Sequence, residues 1–592
     1  MIPSIALASL VVFETACERP DGWRISTASE ERGGCQYLTC TLASPTNAVP
    51  PRFDVFFRCE PRGAHNAWVP IEENGERNRL WATEWGAVRY TSELAKCEPI
   101  CTAYREDGTN SLTICCSEAL RHVRYGITVV STDARLEGRF RFFDRPEAPR
   151  RDYSVTIRVD RRPVFWGAAV REGSAWIAEA AGLRPCHVPE SAYDPLYSSW
   201  YAFWQDVHDD EIVFEAKAAA ELGMKTAILD DGWQKEQSKT FYSATGDWMP
   251  VKGRFPDFRA HVDKVHRSGV KYMLWLSVPF VGNESKVFGR FRGKFLNARE
   301  GDTNVLDPRF PEVREYLIST YERCVRDWDF DGLKLDFIDA IACWDGVDPA
   351  VAQDYAGRDC KTVPEGIDRL MREVHDRLAK LKPDVLIEFR QRYTGPAIRR
   401  YGNMLRATDC PYDLSGNRRR IADLRLTSGG TAVHSDMLVW SPSDGVEDAG
   451  RVILNAIFAT VQYSMKLATV SDAHRELIRH WIGFSADHRD TLLKSDFRPH
   501  HPELMYPWIE AEGVAERIVA VYAVGQSVPV GSSKKPTWVL NATPAGSVTV
   551  DASAPFGAEA FDALGRKVGV RRYGTGPQAV ACPASGYVAL AF

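Results

Sequence analysis

Phe330-Asp-Gly-Leu-Lys-Leu-Asp-Phe-Ile338 is a short, mostly apolar run that nevertheless carries Lys334 and Asp336 two residues apart. Read as a strand, alternate residues share a face, so Lys334 and Asp336 point one way and Leu333, Leu335 and Phe337 the other. An ammonium and a carboxylate on one face of a buried run are costly unless they are paired. A structural ion pair at a strand end meets that requirement. So does the mouth of a site, where Lys334 keeps Asp336 ionised and also donates to a hydroxyl-rich ligand. The choice depends on how the neighbouring runs end.

Working outward, similar strands recur. Leu196 to Trp204 reads as a first, aromatic strand, and Lys225-Thr-Ala-Ile-Leu-Asp-Asp231 as a second that turns at Gly232-Trp233. Lys271 to Ser277 is the third, the opening stretch the fourth, Val385 to Arg390 the fifth, Met404 to Asp409 the sixth, Thr431 to Asp436 the seventh and Leu467 to Val470 the eighth. Helical patterns separate them: Glu211 to Leu222 with Gly223 as a stop, His261 to Ser268, Pro311 to Trp328 with proline at its start, and Ile367 to Leu381. Arg418 to Leu426, Ala449 to Tyr463 and Ala473 to Leu493 complete the set. Such alternation predicts a (β/α)8 TIM barrel over residues 181–494 rather than an open sheet. The long polar connection Pro279 to Asp307 is expected to form a loop over its mouth.

The flanks differ. Residues 1–180 show short alternating runs such as Arg52 to Arg58 and Tyr153 to Val159, which predict an N-terminal β-sandwich. Residues 495–592 return to short β runs and predict a small C-terminal β-sandwich. The expected class is multidomain α/β, consistent with 592 residues being too many for one core.

Composition narrows the function. A formal charge of −5 without a long basic cluster argues against nucleic acid as a partner. The 17 Trp supply flat apolar faces suited to core packing and to sugar rings. The 14 Cys lack metal-type spacing and read as reduced thiols of a cytoplasmic protein. Met1 to Val12 has no preceding Lys or Arg and is a poor signal peptide, and no run is long enough to cross a bilayer.

In this fold the active site lies at the C-terminal ends of the strands. Those ends carry Asp230 and Asp231, Trp275, Lys334 and Asp336, Glu388 and Arg390, Asp409, and His434 with Asp436. Carboxylates on five of eight strand ends form a repulsive cup unless a ligand or cations use it. Two carboxylates facing a sugar ring suit glycoside hydrolysis, one attacking the anomeric carbon and the other moving a proton. Asp336 is the candidate nucleophile because Lys334 lowers its pKa. Asp409, with no cation two residues away, is the candidate acid/base that keeps its proton. Asp230 and Asp231 are expected to grip sugar hydroxyls, and Trp233 and Trp275 to stack on a ring or pack in the core. A metal centre built from His434, Asp436, Asp336, Asp409 and Glu388 is the rival. It is disfavoured by the lone histidine and by Lys334 beside the cation.

Ile228-Leu-Asp-Asp-Gly-Trp-Gln234, Val305 to Arg314, Gly332-Leu-Lys-Leu-Asp336 and Arg406-Ala-Thr-Asp409, in that order, resemble glycoside hydrolase family 36 of the α-galactosidase clan, which includes the raffinose synthases. The likeness covers roughly Tyr193 to Leu493. It implies Asp336 as nucleophile, Asp409 as acid/base, Asp230 and Asp231 on the galactose 4- and 6-hydroxyls, Lys334 near the ring and Trp275 in the wall. Arg406, Glu388, His434 and Asp436 are expected around the same pocket. Two departures stand out: Leu335 where bacterial members carry Trp, and Glu388-Phe-Arg-Gln-Arg-Tyr393 in place of a Cys- and Gly-rich turn that shapes recognition of the 2-position. Arg390 or Arg392 is therefore expected to touch an anionic or 2-substituted group.

The resulting expectation is a retaining α-glycosidase, an enzyme hydrolysing α-galactosides through a glycosyl-Asp336 intermediate, with no organic cofactor and no metal. The alternatives are an α-galactosyl-transferring enzyme, a glycosidase for a modified sugar, a metal-dependent barrel enzyme and a silent carbohydrate-binding protein. The expected partner is an oligosaccharide or glycoside; a homo-oligomer, common in the family, is left open.

Overall fold

The structure, a computed structural model, describes residues 11–17, 22–70, 78–145, 147–234, 242–299, 303–341, 357–393, 395–531 and 535–592. The chain forms two compact units; the described residues of the first lie within 1–183 and those of the second from 184 onward.

The first unit contains two six-stranded sheets. Period-two alternation explains its core. Phe53, Val55 and Phe57 alternate inward on one strand, Phe140 and Phe142 on its antiparallel neighbour, and they meet Leu38, Cys40, Leu42, Val155 and Ile157 of the other sheet. Asp54 and Glu137 lie between the inward positions and are paired with Arg139, Arg141 and Arg58. The unit ends in a helix, Trp166–Ala180, within the span expected to belong to the N-terminal β-sandwich. Trp166, Ala169, Val170 and Ile177 form its buried stripe.

The second unit contains an eight-stranded parallel barrel. Its strands are β1 (Leu196–Ser198), β2 (Thr226–Leu229), β3 (Lys271–Ser277), β4 (Gly332–Asp336), β5 (Leu386–Arg390), β6 (Met404–Arg406), β7 (Ala432–His434) and β8 (Gln462–Tyr463). Their order is β7-β6-β5-β4-β3-β2-β1-β8, and the parallel bridges His434–Thr460 and Leu438–Tyr463 bring the β7 end back to β8. The helices between them carry the expected stops and starts. Gly223 ends Asp209–Leu222 in the left-handed conformation, Pro311 opens Pro311–Arg326, and Thr362 with Glu365 forms a capping box on Val363–Leu381.

The eighth strand differs from the sequence expectation. Leu467–Thr469 is a turn of 3-10 helix, and the strand is the two-residue Gln462–Tyr463, inside a segment that reads as helix; the helix itself is Val446–Leu454. So short a strand leaves almost no periodic signal, and its pairing with β1 decides it. The connection after β3 also has structure of its own, a three-stranded sheet of Phe280–Gly282, Phe295–Arg299 and Thr303–Leu306. Beyond the barrel, a seven-stranded and a three-stranded sheet share a valine-rich core of Val519, Val521, Val539, Val550 and Val588. Tyr506 joins them to the barrel by donating to Asp423 at 2.6 Å. No described helix is long and apolar enough to cross a membrane.

Candidate active site

The barrel interior is layered, and the layers place the site. Leu196, Ile228, Met273, Leu386, Met404 and Ala432 form an apolar floor. Two residues further along the same strands, on the same face, stand Ser198, Asp230, Trp275, Glu388, Arg406 and His434, joined by Lys334 two residues beyond Gly332. One further step brings Asp336, Arg390 and Asp436, with Asp409 just past β6. The strand ends thus change from hydrocarbon to charge within two layers.

Asp336 is held from both of its oxygens. Its Oδ1 accepts from Arg390 Nε at 2.6 Å, the Tyr393 hydroxyl at 3.0 Å and the Phe337 amide at 2.8 Å. Its Oδ2 accepts from Trp275 Nε1 at 3.2 Å. Burial pushes this carboxyl up, but Arg390, Lys334 and Arg406 outweigh it and hold Asp336 well below the usual carboxylate range. Phe337 adopts φ 62°, a conformation unusual for a bulky residue. Its ring packs on Phe280 at 4.8 Å and lies under the Arg390 guanidinium at 5.0 Å.

Asp409 sits just past β6, two strands from Asp336, with its side chain 50% exposed. Arg406 Nη2 donates to it at 2.9 Å, while Arg406 Nη1 donates to Asp436 at 2.5 Å and Arg406 Nε lies 3.7 Å from Glu388. Burial raises Asp409, but Arg406, Lys334 and Arg390 overcome it, so the carboxyl is lowered; the charge of Asp336 acts in the opposite sense. Arg390 Nη1 also donates to Thr408, at 3.2 Å, so one guanidinium touches Asp336 and the neighbour of Asp409.

Asp230 and Asp231 lie at the end of β2. Lys334 Nζ donates to Asp230 at 2.7 Å, Ser198 Oγ at 3.3 Å and the Asp231 amide at 2.9 Å. Asp231 accepts from Gln205 at 2.5 Å, Gln234 at 2.9 Å and the Gly232 amide at 2.7 Å. Gly232, at φ +113°, makes the turn; a Cβ there would lie 2.5 Å from the Gln205 carbonyl oxygen.

Several expectations are corrected. Lys334 bonds to Asp230, and it is Arg390 that grips Asp336, because the barrel shear sets Lys334 a layer below the carboxylate. Asp409 has a cation after all: Arg406, three residues upstream, reaches it. Arg390 is committed to Asp336 rather than free for an anionic substituent, while Arg392 is exposed. Trp233 is fully buried, stacked on Phe258 at 5.3 Å with its Nε1 on the Trp275 carbonyl at 3.0 Å, so its face is not open to a sugar. His434 is buried below the cup. Its Nε2 meets the Ala192 carbonyl at 2.7 Å, its Nδ1 meets Gln462 at 3.2 Å, and burial lowers its pKa to about 4. Glu388 and Asp436 are likewise fully buried, and burial raises both carboxyls against Arg406 beside them. The rival metal set is therefore interleaved with Arg406. Among the described residues, the acid and histidine atoms that converge as a ligand set are those of Asp263, His266 and Asp329 instead. That trio is already bridged by Arg259, which lies 3.0 Å from Asp263 and 3.1 Å from Asp329.

Sequence reasoning overlooked four partners. Tyr393 and Gln234 sit at the ends of quoted motifs, and their proximity to Asp336 and Asp231 was a usable signal. Tyr201, whose hydroxyl donates to Asp436 at 2.9 Å, gave none. Asp339, on the 3-10 turn Ile338–Ile341, has a buried Oδ1 without a hydrogen-bond partner among the described residues, and burial raises its carboxyl.

Residues 190–388, from just before β1 through Glu388 of β5, match the melibiase family model. The chain is 28% identical over 201 residues to the bifunctional alpha-galactosidase/sucrose kinase AgaSK of Mediterraneibacter gnavus, covering 33% of this chain and 20% of that protein. It is 26% identical over 203 residues to alpha-galactosidase Mel36A of Lactobacillus acidophilus, covering 33% of this chain and 26% of that protein. The aligned parts are therefore well under two thirds of the relatives' own lengths. A variant of the GH36 alpha-galactosidase AgaA of Geobacillus stearothermophilus, solved with 1-deoxygalactonojirimycin, superposes with a TM-score of 0.68 over 98% of this chain and 83% of that one, at 14% identity. The chain thus resembles the melibiase family from β1 into β5 of its barrel and shares the fold of the GH36 alpha-galactosidase AgaA.

Proposed function

We propose that this chain is a retaining glycoside hydrolase acting on α-galactosides through a glycosyl-Asp336 intermediate. One observation carries the proposal: a buried carboxylate held ionised by four donors faces the same cup as a second, half-exposed carboxylate. Asp336 Oδ2, with a single donor, attacks the anomeric carbon while Asp409 gives its proton to the leaving oxygen. Forming the ester removes the negative charge of Asp336, which had pushed the Asp409 carboxyl up. Having given up its proton and now the stronger acid, Asp409 is left as the carboxylate that takes a proton from the attacking water. Water attacks the same carbon, the C1–Oδ2 bond breaks, and its electron pair returns to Asp336.

Asp230, Asp231 and Lys334 are the hydroxyl-binding group, and Trp275 both lines the wall and steadies Asp336. The galactose class follows from the relatives' names and from the galactose-like ligand and raffinose bound by AgaA variants. The test is turnover of a panel of aryl α-glycosides, with azide rescue of Asp336→Gly. Rescue giving an inverted, β-configured glycosyl azide supports the proposal. Turnover of no α-galactoside, or undiminished turnover by Asp336→Gly, ends it.

A further inference from the structure

The contacts on Asp336 are uneven. Among the described residues, three donors, Arg390 Nε, the Tyr393 hydroxyl and the Phe337 amide, crowd Oδ1, whereas Oδ2 has one, Trp275 Nε1. Arg390 is itself anchored, by the Gln391 carbonyl at 3.2 Å and Thr408 at 3.2 Å, and backed by the Phe337 ring. It is therefore fixed on the oxygen that does not bond to sugar, and it remains there whether or not Oδ2 is esterified.

A guanidinium so placed discriminates between the two forms of Asp336. It stabilises the carboxylate strongly and the neutral ester weakly. The charged form is the reactant of the first step and the product of the second. Arg390 thus holds back the attack and assists the departure. We propose that Arg390 is the positioning residue that makes Asp336 a good leaving group and keeps the glycosyl-Asp336 ester short-lived; this rests on the retaining reading above. In that second step water's oxygen bonds to C1, the C1–Oδ2 pair passes to Asp336 beside Arg390, and water's proton passes to Asp409.

Other groups also face Asp336: Lys334 on its own strand, Arg406 from β6, the Tyr393 hydroxyl, and the carboxyls of Asp409 and Asp339. Lys334 and Arg406 are bonded directly to other carboxylates, so Arg390 is the cation in contact. Burial pushes Asp336 up and Arg390 is the first of the groups that bring it down.

The experiment is rapid-quench kinetics of the full chain with p-nitrophenyl α-galactoside, together with intact-mass detection of a galactosyl adduct on Asp336. Arg390→Gln is expected to release a nitrophenol burst approaching one equivalent, to lower kcat and KM together by about tenfold or more, and to move the acid limb of kcat/KM up by about one unit. Arg390→Lys, which keeps the charge, is expected to restore most of the rate and to suppress the burst. If Arg390→Gln forms the adduct at Asp336 with an unchanged lifetime and no burst, the role of Arg390 is overturned while the retaining mechanism stands. If no variant forms an adduct and the native chain leaves the galactoside untouched, the retaining reading fails and takes this one with it. Should Arg390→Gln not fold, adduct lifetime in Arg390→Lys decides: the native lifetime supports the charge-based role, and a lifetime lengthened about tenfold overturns it.

Discussion

The β4–β5 wall of the cup and the β6–β7 wall are built on opposite principles. On the first, one carboxylate, Asp336, is buried under four donors and has a guanidinium on its Oδ1. On the second, one guanidinium, that of Arg406, serves Asp436 and Asp409 and reaches across to Glu388 of β5, and the outermost carboxylate, Asp409, is left half in solvent. Under the proposed function, the contrast follows from the two tasks. A nucleophile must stay charged and fixed, so donors outnumber acceptors around it. A proton carrier must change state in each half of the cycle and exchange with water, so it is tethered once and left exposed.

Breaking each wall should give a different signature. Asp336→Asn removes the attacking charge and keeps the shape. Turnover of an aryl α-galactoside should fall by about 10⁴-fold or more while galactose still binds, measured by calorimetry. Asp409→Asn should cost about 10²- to 10⁴-fold, and the loss should be far smaller for leaving groups that need no proton. A flat dependence on leaving-group acidity would contradict the assignment of that wall. Arg406→Gln strands Glu388, Asp436 and Asp409 together and should destabilise the second unit by about 3–5 kcal/mol in chemical denaturation. An unchanged midpoint would mean that the shared cation is dispensable.

Two smaller effects sharpen the contrast. Asp409 is already lowered in the free protein, so protonated acid becomes scarcer as pH rises, and kcat/KM should decline from the acid side toward neutrality. A plateau in kcat/KM extending past neutral pH would show that Asp409 is not held down in the free protein by its three cations, against this assignment. Trp233→Phe touches neither wall. It should lower stability by about 1–3 kcal/mol and leave KM within about twofold.

How much of this was legible in the sequence depends on the element. The strands with a clear inward period, β2 through β7, disclose both their position and their charged ends, because side chains two apart must share a face. The two-residue β8 could not be read, since pairing alone defines it. Among the site residues, identity was easier to read than partnership. Lys334 and Asp336 look like a pair on paper because they are neighbours on one face. In the barrel, shear sets each opposite a different strand, Lys334 against Asp230 and Asp336 against Arg390. Arg406 stood in plain view in the Arg406-Ala-Thr-Asp409 motif, yet its return to Asp409 needs a bend after β6 that no periodicity reports. Trp233 carries the same chemistry whether it lies in a core or on a rim, and only Phe258, Trp248 and Trp328 packed around it decide.

Phe337 deserves a last consequence. Its left-handed backbone is a conformation that glycine would adopt without penalty, and replacing it would relieve local steric conflict. The same replacement would delete the ring on which Arg390 rests and free the amide that fixes Asp336. On the proposed function the sturdier protein would be the poorer catalyst, and an engineer seeking thermal tolerance in this protein should leave that discomfort in place.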